Sequence, residues 1–284
     1  MPRGAEASRR LEAAERLVAR AEAPILSAAV VGSVSTGFAD RDSDIELELF
    51  VEELPTEAER EDLAARLGGL RVVHYPAPLR DGSVWTVCDS PEGWLELGWQ
   101  VEEKAIAALG ELRRGAVLDH ELLVLASAYG QAAWLRRSEA MGAAIVGLGA
   151  PSEELRAAIA AEVLRQWDNE LAWKVRATLV RRGDRLPLAQ RHVADAQRML
   201  RILFALNGRW EGDYKWIKEQ AEGLPRKPSD FAARLDLVLA APDGVSANAA
   251  LAGLLDELLA LLPVRLAEPG LVARIRGHSG ALEG

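Results

Sequence analysis

The sequence predicts an α+β fold, with a mixed β-sheet in the N-terminal part and a helical bundle after it. Segments with strand character stop at Val101, and beyond it apolar residues recur at helical spacing as far as Leu262. An apolar run from Ile25 to Val31 ends in Gly32-Ser33, and an alternating segment begins at Asp44. This part reads as strand, turn, strand.

Taken in order, Pro2 to Ala23 mixes Arg3, Arg9, Arg10, Arg16 and Arg20 with Glu6, Glu12, Glu15 and Glu22. It reads as an amphipathic helix rather than a targeting peptide, because it has no apolar stretch of signal-peptide type. After the strand pair, Thr56 and Glu59 are spaced as a capping box, which predicts a helix to Leu67 stopped by Gly68-Gly69. Leu70 to Tyr75, Val84 to Cys88 and Trp94 to Val101 read as three strands separated by Pro, Gly and Asp turns. Helices are then expected over Glu102 to Leu112, His120 to Arg137, and Ser152 to Arg182 as one long element closed by Gly183. Leu188 to Leu206 follows, then shorter helices over Asp213 to Ala221, Ser229 to Leu239 and Ser246 to Leu262, and a frayed tail from Gly277 to Gly284. The strand-to-helix change puts a domain boundary near Gly115, giving a catalytic domain over 1–114 and a helical domain over 115–284.

Composition narrows the function classes. Hydrophobic content of 49% and charged content of 27% in 284 residues suit a globular protein with a sizeable core. The single cysteine, Cys88, excludes an intramolecular disulfide and a cysteine-rich zinc site, and cytoplasm is the natural compartment. The most apolar late run, Leu251 to Val264, is interrupted by Asp256 and Glu257, so no membrane span is expected. A net charge of −9 argues against a general nucleic-acid binder, which must neutralise many phosphates. Arg165 to Lys215 nevertheless holds 11 Lys and Arg against 6 Asp and Glu, a net +5 that leaves −14 for the rest. An acidic body with a basic segment suits a cationic ligand beside an anionic one, and a solvated helix surface accounts for it almost as well.

The chemistry centres on the second strand. Side chains alternate along a strand, so Asp44, Glu46 and Glu48 share one face, and Ile45, Leu47 and Leu49 share the other. The apolar face is expected in the core and the acidic face outside it. Neighbouring carboxylates repel unless solvent or a cation relieves them, and Mg²⁺ prefers oxygen ligands and joins carboxylates to phosphates. An edge strand with a solvated acidic face is the plainer reading of the same residues. Gly32-Ser33 favours the ligand reading, because glycine admits close backbone approach and a turn or helix opening at Ser33 presents N–H groups to a phosphate.

An apolar strand, Gly-Ser, ten intervening residues and Asp-Ile-Glu-Leu together resemble the signature of the nucleotidyltransferase superfamily with the DNA polymerase β-like fold. That resemblance implies Asp44 and Glu46 as catalytic metal ligands for Mg²⁺ on a nucleoside triphosphate, ATP or another, with Gly32 and Ser33 at its phosphates. It also implies a third carboxylate from a later strand, a place filled by Glu96 in Trp94-Leu95-Glu96-Leu97, although Glu96 also suits a solvated edge. Asp-Ile-Glu, the later Leu-Glu-Leu followed by Val-Glu-Glu, and Glu170-x-x-x-Lys174 in a tryptophan-containing helix look closest to the kanamycin (aminoglycoside 4′-type) nucleotidyltransferases. Carried across, Glu170 is the general base on the accepting hydroxyl and Lys174 a phosphate contact. Spacing alone makes the same two residues an ordinary helix ion pair.

Lys215, ahead of a helix, is a second candidate phosphate contact. Trp99, Trp134, Trp167, Trp173, Trp210 and Trp216 are candidates to stack on a base or sugar, or else core residues. His74, His120, His192 and His278 lack ligand spacing and are assigned no chemistry. The resemblance further implies a homodimer with the acceptor between subunits. Transfer to a protein side chain or an RNA end, and a non-catalytic nucleotide-binding module, are the alternatives.

Overall fold

In the computed structural model, residues 4–21, 24–75, 82–114, 118, 120–212 and 215–280 are described. The chain divides into two units, Met1–Gly149 and Ala150–Gly284. In the first, α1 (Ala5–Arg20) leads into β1 (Ser27–Val30), a one-turn helix α2 (Gly32–Thr36) and β2 (Ile45–Val51). Next come α3 (Glu57–Arg66), β3 (Leu70–His74), β4 (Val84–Ser90) and β5 (Gly93–Val101). The unit closes with α4 (Glu102–Arg113), α5 (His120–Gln131), β6 (Ala133–Arg136) and α6 (Glu139–Ile145). The predicted capping box forms at α3, where the Thr56 hydroxyl accepts from the Glu59 N–H at 3.3 Å and Glu59 accepts from the Thr56 N–H at 2.8 Å.

The six strands run in the order β3-β4-β5-β2-β1-β6, with β2 and β5 parallel and the other pairs antiparallel. The sheet is therefore mixed. One face carries Ile45, Leu47, Leu49, Leu95, Leu97 and Trp99, packed with Ala13 and Leu17 of α1 and Leu63 of α3. Complete burial of each such leucine stabilises by roughly 1.5–3 kcal/mol. On the other face Phe50 stacks on Trp134 at 5.7 Å and meets the edge of Tyr129 at 5.4 Å.

The described elements of the second unit are all helices: α7 (Glu153–Trp167), α8 (Glu170–Arg182), α9 (Arg185–Leu206), α10 (Ile217–Glu222), α11 (Phe231–Ala240), α12 (Gly244–Ala260) and α13 (Pro269–Gly280). Helix α9 buries Met199, Leu200, Ile202 and Leu203 against Phe231, Leu254 and Leu258. No helix among the described residues is long and apolar enough to cross a membrane.

Several expectations change. A sixth strand lies within the segment predicted as helix from His120 to Arg137, because Ala133–Arg136 pairs with β1 and puts Trp134 beside Phe50. That pairing keeps residues well beyond 114 with the sheet, and the division falls at Gly149 rather than near Gly115, which itself lies outside the described residues. The helix expected over Ser152 to Arg182 breaks at Asp168-Asn169, where Asn169 caps α8 by accepting from the Ala172 N–H at 3.1 Å. Trp167 and Trp173 would lie on different sides of one continuous helix, being six residues apart at 3.6 per turn. The break buries both, and the Trp173 indole donates to the Trp167 carbonyl at 2.8 Å. Helices α6 and α13 were not expected, and α13 includes the first residues of the supposed tail, whose last four lie outside the described residues.

A buried carboxylate joins three elements of the first unit. Glu102 accepts from the Ser27 hydroxyl at 2.5 Å and from the Ser138 hydroxyl at 2.9 Å, and the Ser138 N–H bonds the Ser27 hydroxyl at 2.9 Å. Glu102→Ala would strand two partnered hydroxyls, each such loss costing about 1–3 kcal/mol. Its urea midpoint is expected to fall accordingly, with faster amide exchange in β1 and α6.

In the second unit, buried His192 lies 2.9 Å from Asn248 through Nε2, and burial pushes its pKa below the usual 6.5. A folded pKa below the unfolded one means that stability is complete above the unfolded value and is lost as pH falls through the folded one. The thermal midpoint is expected to drop as pH falls below 6.5, and His192→Gln to remove part of that slope.

Candidate active site

Gly32 follows β1 with φ +66°, a left-handed conformation that a side chain disfavours, and opens α2. A methyl group there would lie 2.7 Å from Glu46 Oε1 and 2.8 Å from Oε2. The glycine therefore makes room for the Glu46 carboxylate. The Ser33 carbonyl accepts the N–H groups of Gly37, Phe38 and Ala39 at 3.0–3.1 Å, which closes the turn after α2. The next turn is self-built: the Asp40 carboxylate accepts from the Asp42 N–H and the Ser43 hydroxyl, both at 3.0 Å, and Arg10 donates to the Arg41 carbonyl at 3.1 Å. Asp44, half-buried, enters β2 directly after it.

In the parallel register of β2 and β5, Glu46 stands opposite Glu96. Both are half-buried, and the Trp94 indole donates to Glu96 at 3.2 Å. Two like charges directly opposite on neighbouring strands oppose the pairing that holds them. The structure thus brings Gly32, Ser33, Glu46 and Glu96 to one end of the sheet, with Asp44 leading into it.

The acidic face does enter the interior one residue pair further along. Glu48 is 5% exposed, contrary to the expectation of a fully external acidic face. Gln100 donates to it at 3.4 Å, and a methyl group on the facing Gly98 would lie 2.9 Å from Glu48 Oε2 and from the Trp85 ring. Glycine in mid-strand opposite a glutamate was the available sequence signal.

Glu170 and Lys174 belong to the second unit. Glu170 is the first residue of α8 and does not fall inside a long helix. Its carboxylate meets the Lys174 ammonium at 2.6 Å, with the side chains 61% and 67% exposed. The hydrogen bond and charge of Lys174 hold Glu170 below the usual carboxylate range. A general base works best with a pKa near the operating pH, so this pairing opposes base strength. Lys215 is exposed two residues before α10, and its neighbours Asp213 and Tyr214 lie outside the described residues. Trp99, Trp167, Trp173 and Trp210 are buried, and Trp134 stacks on Phe50.

The oxygen donors of Glu46 and Glu96, with Asp44 nearby in sequence, suit the ligand preference of Mg²⁺, which joins carboxylates to substrate phosphates. Among the described residues no three His, Cys, Asp or Glu side chains are grouped so as to hold a metal ion by themselves.

No family model matches the chain, and no curated protein matches it. Among solved structures, a nucleotidyltransferase-like protein from Exiguobacterium sibiricum is similar over 98% of this chain and 89% of its own, with 12% sequence identity and a TM-score of 0.40.

Replacing one of two opposed carboxylates by its neutral isostere relieves repulsion worth up to about 1 kcal/mol. Glu96→Gln is therefore expected to raise the thermal midpoint in EDTA at neutral pH. An unchanged or lowered midpoint would show that the pair carries no such repulsion.

Proposed function

We propose that the protein transfers a nucleoside monophosphate from a nucleoside triphosphate, ATP in the first instance, to a hydroxyl of a small cationic acceptor such as an aminoglycoside, releasing pyrophosphate. The observation that carries this reading is the opposed pair Glu46 and Glu96 beside Gly32. Two carboxylate side chains in register on neighbouring strands, one of them seated in the space that Gly32 leaves, offer oxygen donors of the kind Mg²⁺ prefers.

Asp44, Glu46 and Glu96 would hold Mg²⁺, which when bound supplies neutralisation of the charge developing on the α-phosphate and pyrophosphate. Gly32 and Ser33 would admit the outer phosphates to backbone N–H groups. The first unit holds 15 Lys and Arg against 25 Asp and Glu, a surplus of negative charge that favours a cationic acceptor. By the resemblance, Glu170 takes the acceptor proton, while Lys174 and Lys215 meet nucleotide phosphate. The first two roles require the Glu170–Lys174 ion pair to open. A homodimer belongs to the same proposal.

The deciding experiment is mass spectrometry of aminoglycosides and related amino sugars incubated with the protein, Mg²⁺ and each nucleoside triphosphate, beside Asp44→Asn. A product heavier by one nucleoside monophosphate, absent with the variant, is expected. Nucleotide binding without any product would overturn the acceptor class, and absence of Mg²⁺-dependent nucleotide binding would overturn the reading itself. Glu170→Gln is expected to keep nucleotide binding and to lose 10²–10⁴-fold in turnover, roughly. Unchanged turnover would leave Glu170 and Lys174 as a surface ion pair.

A further inference from the structure

A cavity of about 440 Å³ opens in the second unit where the end of α7, the start of α8 and the first half of α9 meet. This is within the size range of small-molecule sites. Its lining includes Arg176, Arg191 and Arg198 against one carboxylate, Asp195. Three guanidinium groups facing a single acid leave a surplus of two positive charges.

Asp195 is already well partnered. It is 1% exposed and accepts from the Trp167 indole at 2.9 Å, from Arg198 at 2.9 Å and from Arg176 Nη2. Arg198 also reaches Gln166 at 2.7 Å through Nε. Arg176 differs from these groups. It is 5% exposed and its guanidinium lies 4.6 Å from the centre of the Trp173 ring, yet Nε and Nη1 are buried with no hydrogen-bond partner among the described residues. Orphaned buried N–H groups are rare because each forfeits its hydration, and those of a charged group forfeit most. A network serving stability alone would need neither the orphaned N–H groups nor the uncompensated charge.

We propose that this cleft binds a phosphate-bearing small molecule. A phosphate monoester supplies about two negative charges near neutral pH and three strong acceptor oxygens. The charge answers the surplus of two, and the oxygens suit the guanidinium groups that line the cleft. Guanidinium is the side chain best shaped for forked bonding to phosphate, and the Arg176 guanidinium is held close to the Trp173 ring. A carboxylate ligand brings less charge per group and fewer acceptors. The assignment stands on the residues of this cleft, none of which has a role in the reaction proposed above.

Calorimetric titration of the full chain with inorganic phosphate and, separately, with ATP in EDTA tests it, at constant ionic strength and with citrate as a carboxylate probe. Saturable binding of phosphate or ATP is expected, weakened at least tenfold in Arg191→Gln and unchanged in Arg182→Gln, a residue outside the cavity lining. Binding of both would make free phosphate sufficient, and binding of ATP alone would assign the site to a nucleotide-borne phosphate. No saturable binding of either, equal affinity in Arg191→Gln, or tighter binding of citrate than of phosphate and ATP would overturn the proposal. Arg191 is the chosen lever because it lines the cleft half-buried, outside the Asp195 hydrogen bonds, so its loss leaves that network intact.

Discussion

The parallel pairing of β2 with β5 is the constraint on which the candidate site depends. Seven consecutive residues are matched, from Ile45 opposite Leu95 to Val51 opposite Val101. Because side chains alternate, one register puts Ile45, Leu47, Leu49, Leu95, Leu97 and Trp99 into the core, and Glu46 beside Glu96 on the reverse face. A slip by one residue would exchange the two sets. Hydrophobic burial on one face therefore sets which acids stand opposite each other on the other.

Around this pair the backbone is shaped by the space the acids need. Gly32 leaves room for the Glu46 carboxylate in a conformation that a side chain disfavours, and Gly98 does the same for Glu48 between β2 and β5. Deeper in the unit, Glu102 is fully engaged by Ser27 and Ser138. Acids of the same unit thus have different surroundings. Glu102 is fixed by hydroxyls inside the protein, whereas Glu46 and Glu96 stand half-buried and opposed at the end of the strands.

The second unit is arranged about a buried charge. Asp195 gathers Trp167, Arg176 and Arg198 from three helices, and the break at Asp168-Asn169 lets Trp167 and Trp173 share one interior. Asp168 at that break is held by Arg274 of α13 at 2.7 Å, an interaction that lowers its pKa. The helices are therefore joined by specific polar contacts as well as by leucine packing, and Arg176, which lines the cleft, keeps two buried N–H-bearing nitrogens without a hydrogen-bond partner among the described residues.

Local patterns were enough to read much of this from the sequence. Alternation located β2, turn residues bounded β4 and β5, the Thr56 and Glu59 spacing located α3, and the change of periodicity after Val101 marked the end of the first five strands. Gly32, Asp44 and Glu46 were grouped by their nearness in sequence and Glu96 by the resemblance, and the structure sets Glu46 opposite Glu96 and beside Gly32. Short elements and long-range partners were not. β6 is four residues whose strand character comes from pairing with β1, and the break before α8 exists because two tryptophans must reach one core. Burial of Glu48, the meeting of Ser27, Glu102 and Ser138, and the convergence of Arg176, Arg191 and Arg198 join residues distant in sequence or in separate helices. The sequence by itself determined which faces were apolar and where the acids stood along them. Which acid met another acid, which met a hydroxyl and which met an arginine was decided only by tertiary packing, since those energies depend on distance and burial that no local pattern encodes.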